Sequence, residues 1–390
     1  MEGRAAVTRC RRARRRLVPV AVGLALSFAA RPAAGAGAPS EATSPPAAPP
    51  AAHAPLPGWP RWIESADGRA TQQTSGLAFV GRRDDGSAVF LAADDEGALW
   101  RLTVGEPDGT IRLDPIPFTG AAGESLARFP KKDLEGIAYC PTTMRVLVSI
   151  EGNAPRDGAP RDRVPGDGRR ARDESAERDD FREWLGVFVA ILDRSDPLDA
   201  SRVIGLERLP LAHWAEASRP ATKNRGFEGI AVREDTLLLG LEGLLVGEDG
   251  FADSTMIDVF DLGARTFRAF STRPLGLVSV TGLDVGRAGR WYGIDRNQAT
   301  LFSFRIGESG IADFQSVPLA LLGVRGVPYS LPCAESIALD DSGAIWIAID
   351  PWIYEPTTRA GLTAHDVKNY AAKVPMLYKF EDPFREGPID

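Results

Sequence analysis

Three glutamates recur in one local setting. Glu135 and Glu228 open the sequence Glu-Gly-Ile-Ala, and Glu335 opens Glu-Ser-Ile-Ala. Ser75-Gly-Leu-Ala and Thr281-Gly-Leu-Asp are variants of the same pattern. Between 14 and 19 residues after each of the five starts stands an acid that closes an apolar run: Asp94, Glu151, Glu242, Asp295 and Asp350. Carboxylates gathered in a narrow space cannot all stay ionised; they take protons, pair with bases or bind a cation. A hard divalent cation, calcium above all, suits several carboxylate oxygens. The chain has three histidines, His53, His213 and His365, which argues against zinc. The expected metal ligands are Glu135, Glu151, Glu228, Glu242, Asp295, Glu335 and Asp350. Glu228 and Glu335 are the candidates for a catalytic base, which would activate a bound water. Lys132, Arg225 and Arg296 lie beside these acids in sequence and are read as contacts for an anionic substrate; pairing with the acids is the plainer alternative. Neither a G-x-S-x-G elbow nor a phosphate-cradling glycine loop is present, so nucleophilic-serine and nucleotide chemistry have no support.

The elements that must position these acids follow from the repeat itself. After each start come further apolar runs, such as Leu99–Leu102, Leu185–Leu192, Met256–Phe260, Leu301–Phe304 and Met376–Phe380. The runs are short, rich in β-branched and aromatic residues and separated by Gly, Asp or Pro, which are strand signals. Four antiparallel strands per repeat around a channel make a propeller blade. The fold expected is all-β, a five-bladed β-propeller with starts near 75, 135, 228, 281 and 335. Six blades are the alternative. The last repeat has three clear strands, and Arg61–Glu64 is expected to supply the fourth and close the ring. Strand one begins, and strand two ends, at the same end of the channel. The topology therefore gathers the acids at one mouth. Cys140 and Cys333 fall at opposite ends of strands in non-adjacent blades, which disfavours a disulfide.

Composition agrees. With 40 Gly and 30 Pro in 390 residues, a helical bundle is excluded and a turn-rich fold favoured. Arg11–Arg16, the apolar run Leu17–Ala30 and Ala34-Gly-Ala36 read as a signal peptide over 1–36. The protein is thus expected to be periplasmic or secreted, by the Sec or the Tat route. Removing that segment takes away eight Arg and one Glu, moving the net charge from −7 to −14. Such a chain repels nucleic acid and anionic membranes; a monomer is expected. Residues 37–57 read as an Ala/Pro-rich linker and 58–390 as the propeller. Segment 153–183 holds eight Arg and nine acids and reads as a charged, disordered insertion. Loop 351–373 carries Trp352 and Tyr354, with a short helix around 363–372.

Asp133-Leu-Glu-Gly-Ile-Ala with Ser149-Ile-Glu-Gly, and Asn224-Arg-Gly-Phe-Glu-Gly-Ile-Ala with Leu241-Glu-Gly, resemble the phytase-like family called esterase-like activity of phytase. The resemblance covers most of 72–382. It implies an exported β-propeller that hydrolyses phosphate or other esters. Ser75 and Thr281 depart from the Glu pattern, and no dense Lys/Arg cluster is present, which points away from phytate itself. The function expected is a calcium-binding, metal-dependent hydrolase of small anionic or ester substrates. The alternative is a non-catalytic propeller that binds a ligand or partner and uses calcium for stability.

Overall fold

Short runs of β-branched and aromatic residues punctuated by turn residues can bury themselves only by pairing side by side. The computed structural model describes residues 51–151, 182, 184–222, 225–246, 250–286, 288–329, 333–349 and 356–385. In it the runs form five four-stranded antiparallel sheets and one two-stranded hairpin. Strand β1 (Arg61–Trp62) comes first. Blade one is β2 (Thr74–Arg82), β3 (Ala88–Asp94), β4 (Ala98–Val104) and β5 (Ile111–Pro115). Helix α1 (Ala121–Leu126) leads to blade two: β6 (Leu134–Cys140), β7 (Arg145–Ile150), β8 (Gly186–Leu192) and β9 (Val203–Arg208). After α2 (Trp214–Ala217), blade three is β10 (Phe227–Arg233) and β11 (Thr236–Leu241). It continues, past the hairpin β12 (Leu245–Val246) and β13 (Gly250–Phe251), with β14 (Met256–Asp261) and β15 (Thr266–Ser271). Blade four is β16 (Gly282–Val285), β17 (Trp291–Asp295), β18 (Thr300–Gly307) and β19 (Gly310–Pro318). Blade five is β20 (Ala334–Leu339) and β21 (Ile345–Ile349), then α3 (Ala364–Ala372) and β22 (Met376–Phe380). Strand β1 lies on the outer edge of β22, with Arg61 opposite Leu377 and Trp62 opposite Met376.

Each first strand touches the first strand of the next blade, and β20 touches β2, so five blades form the ring. The glycine of the repeated motif permits that approach. A Cβ on Gly136 would stand 2.4 Å from the Glu228 carbonyl oxygen and 2.7 Å from Ile230 Cγ2. Gly76 meets the Ile137 amide nitrogen at 2.8 Å in the same sense. One residue further on, Leu77, Ile137, Ile230, Leu283 and Ile337 are all buried and line the axis. With the polar residues beside them they leave a cavity of about 10 Å³, no more than one water requires.

Side-chain staples fasten the blades at their seams. Arg82 of β2 pairs with Asp340 at 3.0 Å and Asp341 at 2.6 Å, and Asp340 also accepts from Trp346 Nε1 at 3.0 Å. Asp284 of blade four accepts from the Leu339 amide of blade five at 2.6 Å. The helix expected around 363–372 is present; Thr363 caps it by accepting from Asp366 N, with the Asp366 side chain returning the bond. Cys140 and Cys333 are buried and neither forms a disulfide. The propeller begins earlier than the expected boundary at 58. His53 N donates to Pro318 O of blade four and Leu56 N to Lys379 O of blade five, both at 2.7 Å, because the outer strands of these two blades offer carbonyls that the incoming chain satisfies. Arg182 is the one described residue of the charged insertion 153–183, and the insertion's expected disorder lies outside the described residues, as do Trp352 and Tyr354.

One buried acid is a liability. Asp258 of β14 is buried and its Oδ2 makes no hydrogen bond. Burial, with Glu216 nearby, pushes its carboxyl up to about 7. A raised acid binds its proton more tightly in the folded state, so its contribution to stability is lost as pH rises from about 4 through 7. Asp258→Asn is therefore expected to gain on the parent as pH rises, by about 1–2 kcal/mol at pH 8. Urea melts at pH 5 and pH 8 measure this; a difference that does not grow with pH would refute it.

Candidate functional site

The motif acids sit where the ladder is interrupted. Pairing skips the residue before the motif Gly or Ser in β2, β6, β10 and β20: Ser75, Glu135, Glu228 and Glu335. Each is a β-bulge, which leaves one residue unpaired and re-aims its side chain. Glu228 and Glu335 line the axial cavity with Ser75 and Thr281.

The second strands contribute by position. Asp94, Ile150, Leu241, Asp295 and Ile349 are the last residues of β3, β7, β11, β17 and β21. The following positions are Asp95, Glu151, Glu242, Arg296 and Asp350. Side chains alternate in direction along a strand, so these two sets do different things. Asp94 accepts from Gln72 N at 3.1 Å and Glu96 N at 2.8 Å. Asp295 accepts from Val278 N at 2.8 Å and Gln298 N at 3.1 Å. Both carboxylates are bound by backbone amides beside their own strands, so Asp295, expected among the metal ligands, serves as a turn staple. Asp95, Glu151, Glu242 and Arg296 reach the mouth. Asp350 lies outside the described residues.

Two groups result. On the side of blades one and two, Asp95, Asp133 and Glu135 each bring a carboxylate oxygen within 4.8 Å of the others'. Ser75 Oγ donates to Asp95, and Lys131 pairs with Asp133. Glu151 stands nearby, its Oε1 accepting from Gly226 N at 2.8 Å. On the side of blades three to five, Arg296 donates to Glu335 Oε1 at 2.5 Å, pairs with Glu242 and lies 3.7 Å from Glu228 Oε2. Arg296, expected as an anion contact, is thus taken up by three carboxylates. Lys132 is exposed and Arg225 half-buried ahead of β10. Asp95 and Asp133 were not among the expected ligands.

Electrostatics follow from the apolar floor and the crowding. Burial, then the neighbouring Asp95 and Asp133, push Glu135 well above the usual carboxylate range. Burial and Asp133 do the same to Glu151. Burial and Glu242 raise Glu228 well above it, against the pull of Arg296. Burial also raises Glu335, which Arg296 opposes. Such a site holds protons when no cation is present and can exchange them for one.

Fold and geometry together define a five-bladed propeller with a floored, carboxylate-lined axial mouth. The family described as esterase-like activity of phytase matches residues 69–310, and the chain belongs to this phytase-like family. No curated protein matches it. Among solved structures it is similar to a luciferin-regenerating enzyme at 10% identity and a TM-score of 0.41, covering 85% of this chain and 98% of that one. A glucose dehydrogenase matches at 12% identity and a TM-score of 0.39, covering 83% and 99%. The protein U3-55K matches at 8% and 0.36, covering 84% and 99%.

Proposed function

We propose that this protein is an exported, monomeric hydrolase of small phosphoester or other ester substrates, with calcium held at the mouth by Asp95, Asp133 and Glu135. The observation that carries the reading is the meeting of these three carboxylates within 4.8 Å. Two oxygens on one Ca²⁺, each at about 2.3–2.6 Å, stand at most about 5 Å apart, so the donor set fits. The donors are all oxygen, which suits a hard cation and not zinc. Bound calcium would supply a Lewis-acid centre and a water of lowered pKa.

The chain's own residues divide the remaining work. Glu228 and Glu335 are the candidates for the base. Glu335 is bound to Arg296 at 2.5 Å, while Glu228 lies 3.7 Å from it and its Oε2 accepts no hydrogen bond; once a bound cation has displaced its proton, Glu228 is the better placed to take one. Exposed Lys132, with Arg225, would meet an anionic substrate group. The signal sequence over 1–36 supports export to the periplasm or beyond, and the acidic mature chain supports the absence of nucleic-acid and membrane partners.

One observation favours a second reading, a binding propeller with structural calcium: Arg296 is already taken up by carboxylates. Purified protein assayed on p-nitrophenyl phosphate, phytate, nucleotides and simple esters, with Ca²⁺ or chelator, separates the two. Calcium-dependent turnover that Glu228→Gln lowers by about 10²-fold is expected. A calcium-dependent rise in Tm with no turnover on any substrate would favour the binding protein. A Tm indifferent to chelation would refute the calcium site.

A further inference from the structure

The repeat places an acid after strand two in blades one, two, three and five, as Asp95, Glu151, Glu242 and Asp350, and an arginine in blade four. That exchange of charge is local to one position, and its guanidinium lies among carboxylates from blades three and five. The pairing leaves capacity unused. Glu228 and Glu242 are only 8% and 6% exposed, yet Oε2 of each makes no hydrogen bond. The Arg296 guanidinium, fixed in one plane, bonds Glu335 and Glu242 and reaches Glu228 Oε2 only at 3.7 Å, whereas a divalent ion gathers six to eight oxygens around it.

We propose that the Arg296 guanidinium is a tethered cation filling a second cation position of the mouth, so that a divalent ion enters only beside Asp95, Asp133 and Glu135. The proposal rests on the calcium reading above and adds the rule that sets how many ions the mouth takes. Arg296 carries its charge at every working pH, so this half of the mouth always holds one fixed positive charge among its three carboxylates. Replacing it with an apolar side chain of similar length leaves Glu228, Glu242 and Glu335 to be neutralised by protons or by a cation, and a divalent ion alone also coordinates their oxygens.

Calcium binding to the purified protein, measured by equilibrium dialysis with Tm in parallel, tests this. Arg296→Met is expected to bind one more Ca²⁺ per chain than the parent and to show a larger Ca²⁺-dependent rise in Tm. Arg296→Lys, which restores a cation, and Glu335→Gln, which removes no ligand of the remaining site, are expected to bind the parental number. A folded Arg296→Met without the extra ion, or loss of an ion in Glu335→Gln, would overturn the proposal. Should Arg296→Met fold only with millimolar Ca²⁺, that rescue supports it. Should it fold in neither condition, the ion counts of Arg296→Lys and Glu335→Gln decide. A parent that binds no Ca²⁺ beside an Arg296→Met that binds one would sink the calcium reading and keep the tethered cation; equal, non-zero numbers would do the reverse.

Discussion

Gly136→Ala is expected to lower stability by about 3 kcal/mol, at the upper end of what overpacking costs. The added methyl would meet backbone, the Glu228 carbonyl oxygen at 2.4 Å, as well as Ile230 Cγ2 and Ser149 Oγ. Backbone cannot move aside as the tip of a flexible side chain can, so relief requires β6 and β10 to separate. Those strands carry Glu135 and Glu228, and the same substitution should therefore weaken calcium binding. Gly307 supplies the control: it lies in β18, and a Cβ there would meet nothing nearer than Gly310 O at 3.7 Å. Gly307→Ala should change stability by under ~1 kcal/mol. Chemical denaturation with a calcium titration measures both quantities, and equal effects at the two glycines would show that the axial approach is not the cause.

The second large effect is the loss of calcium through Glu135→Gln or Asp133→Asn. Each removes one of three converging carboxylates, and a fall in affinity of about 10²-fold is expected. The pH dependence has a definite sign. Glu135, Glu151 and Glu228 are held well above their ordinary value of 4.5. Their contribution to stability is complete below about pH 4.5 and is lost as pH rises above it, because the ionised forms repel one another over an apolar floor. Without calcium, stability should fall as pH rises from 4.5; with calcium the fall should be reduced. Calcium binding should also release protons, since the ligands must ionise to hold the ion. Calorimetry in buffers of different ionisation enthalpy reads that release directly. Binding without proton release, or unchanged affinity in both variants, would remove these carboxylates from the site.

The blade count and the gathering of acids were legible because both rest on a repeat, and a repeat exposes strand order and strand ends together. What was not legible depends on a single residue of phase. Apolar runs that end in an acid appear equivalent in sequence, yet Asp94 and Asp295 end their strands while Glu151 and Glu242 follow theirs. Side chains reverse direction at every step along a strand, so that offset separates a staple from a mouth residue. Asp95 was missed for this reason, masked by Asp94 before it. Arg296 was seen, but its sign alone does not reveal whether a substrate or three carboxylates take it up. The bulges at Glu135, Glu228 and Glu335 leave no clear mark in residue type, although the Gly that follows in two of them was a usable hint.

Among the described residues, an apolar collar closes the channel beneath the acids. Leu77, Ile137, Ile230, Leu283 and Ile337 are each 3% exposed or less, and the space they enclose with their polar neighbours is about 10 Å³, room for about one water. Whatever reaches the carboxylates must arrive and depart through the same face. A long polymer can present an end or a protruding group to that mouth but cannot thread the ring. Departing product and incoming substrate therefore compete for one opening, and a plug that fits it would block both.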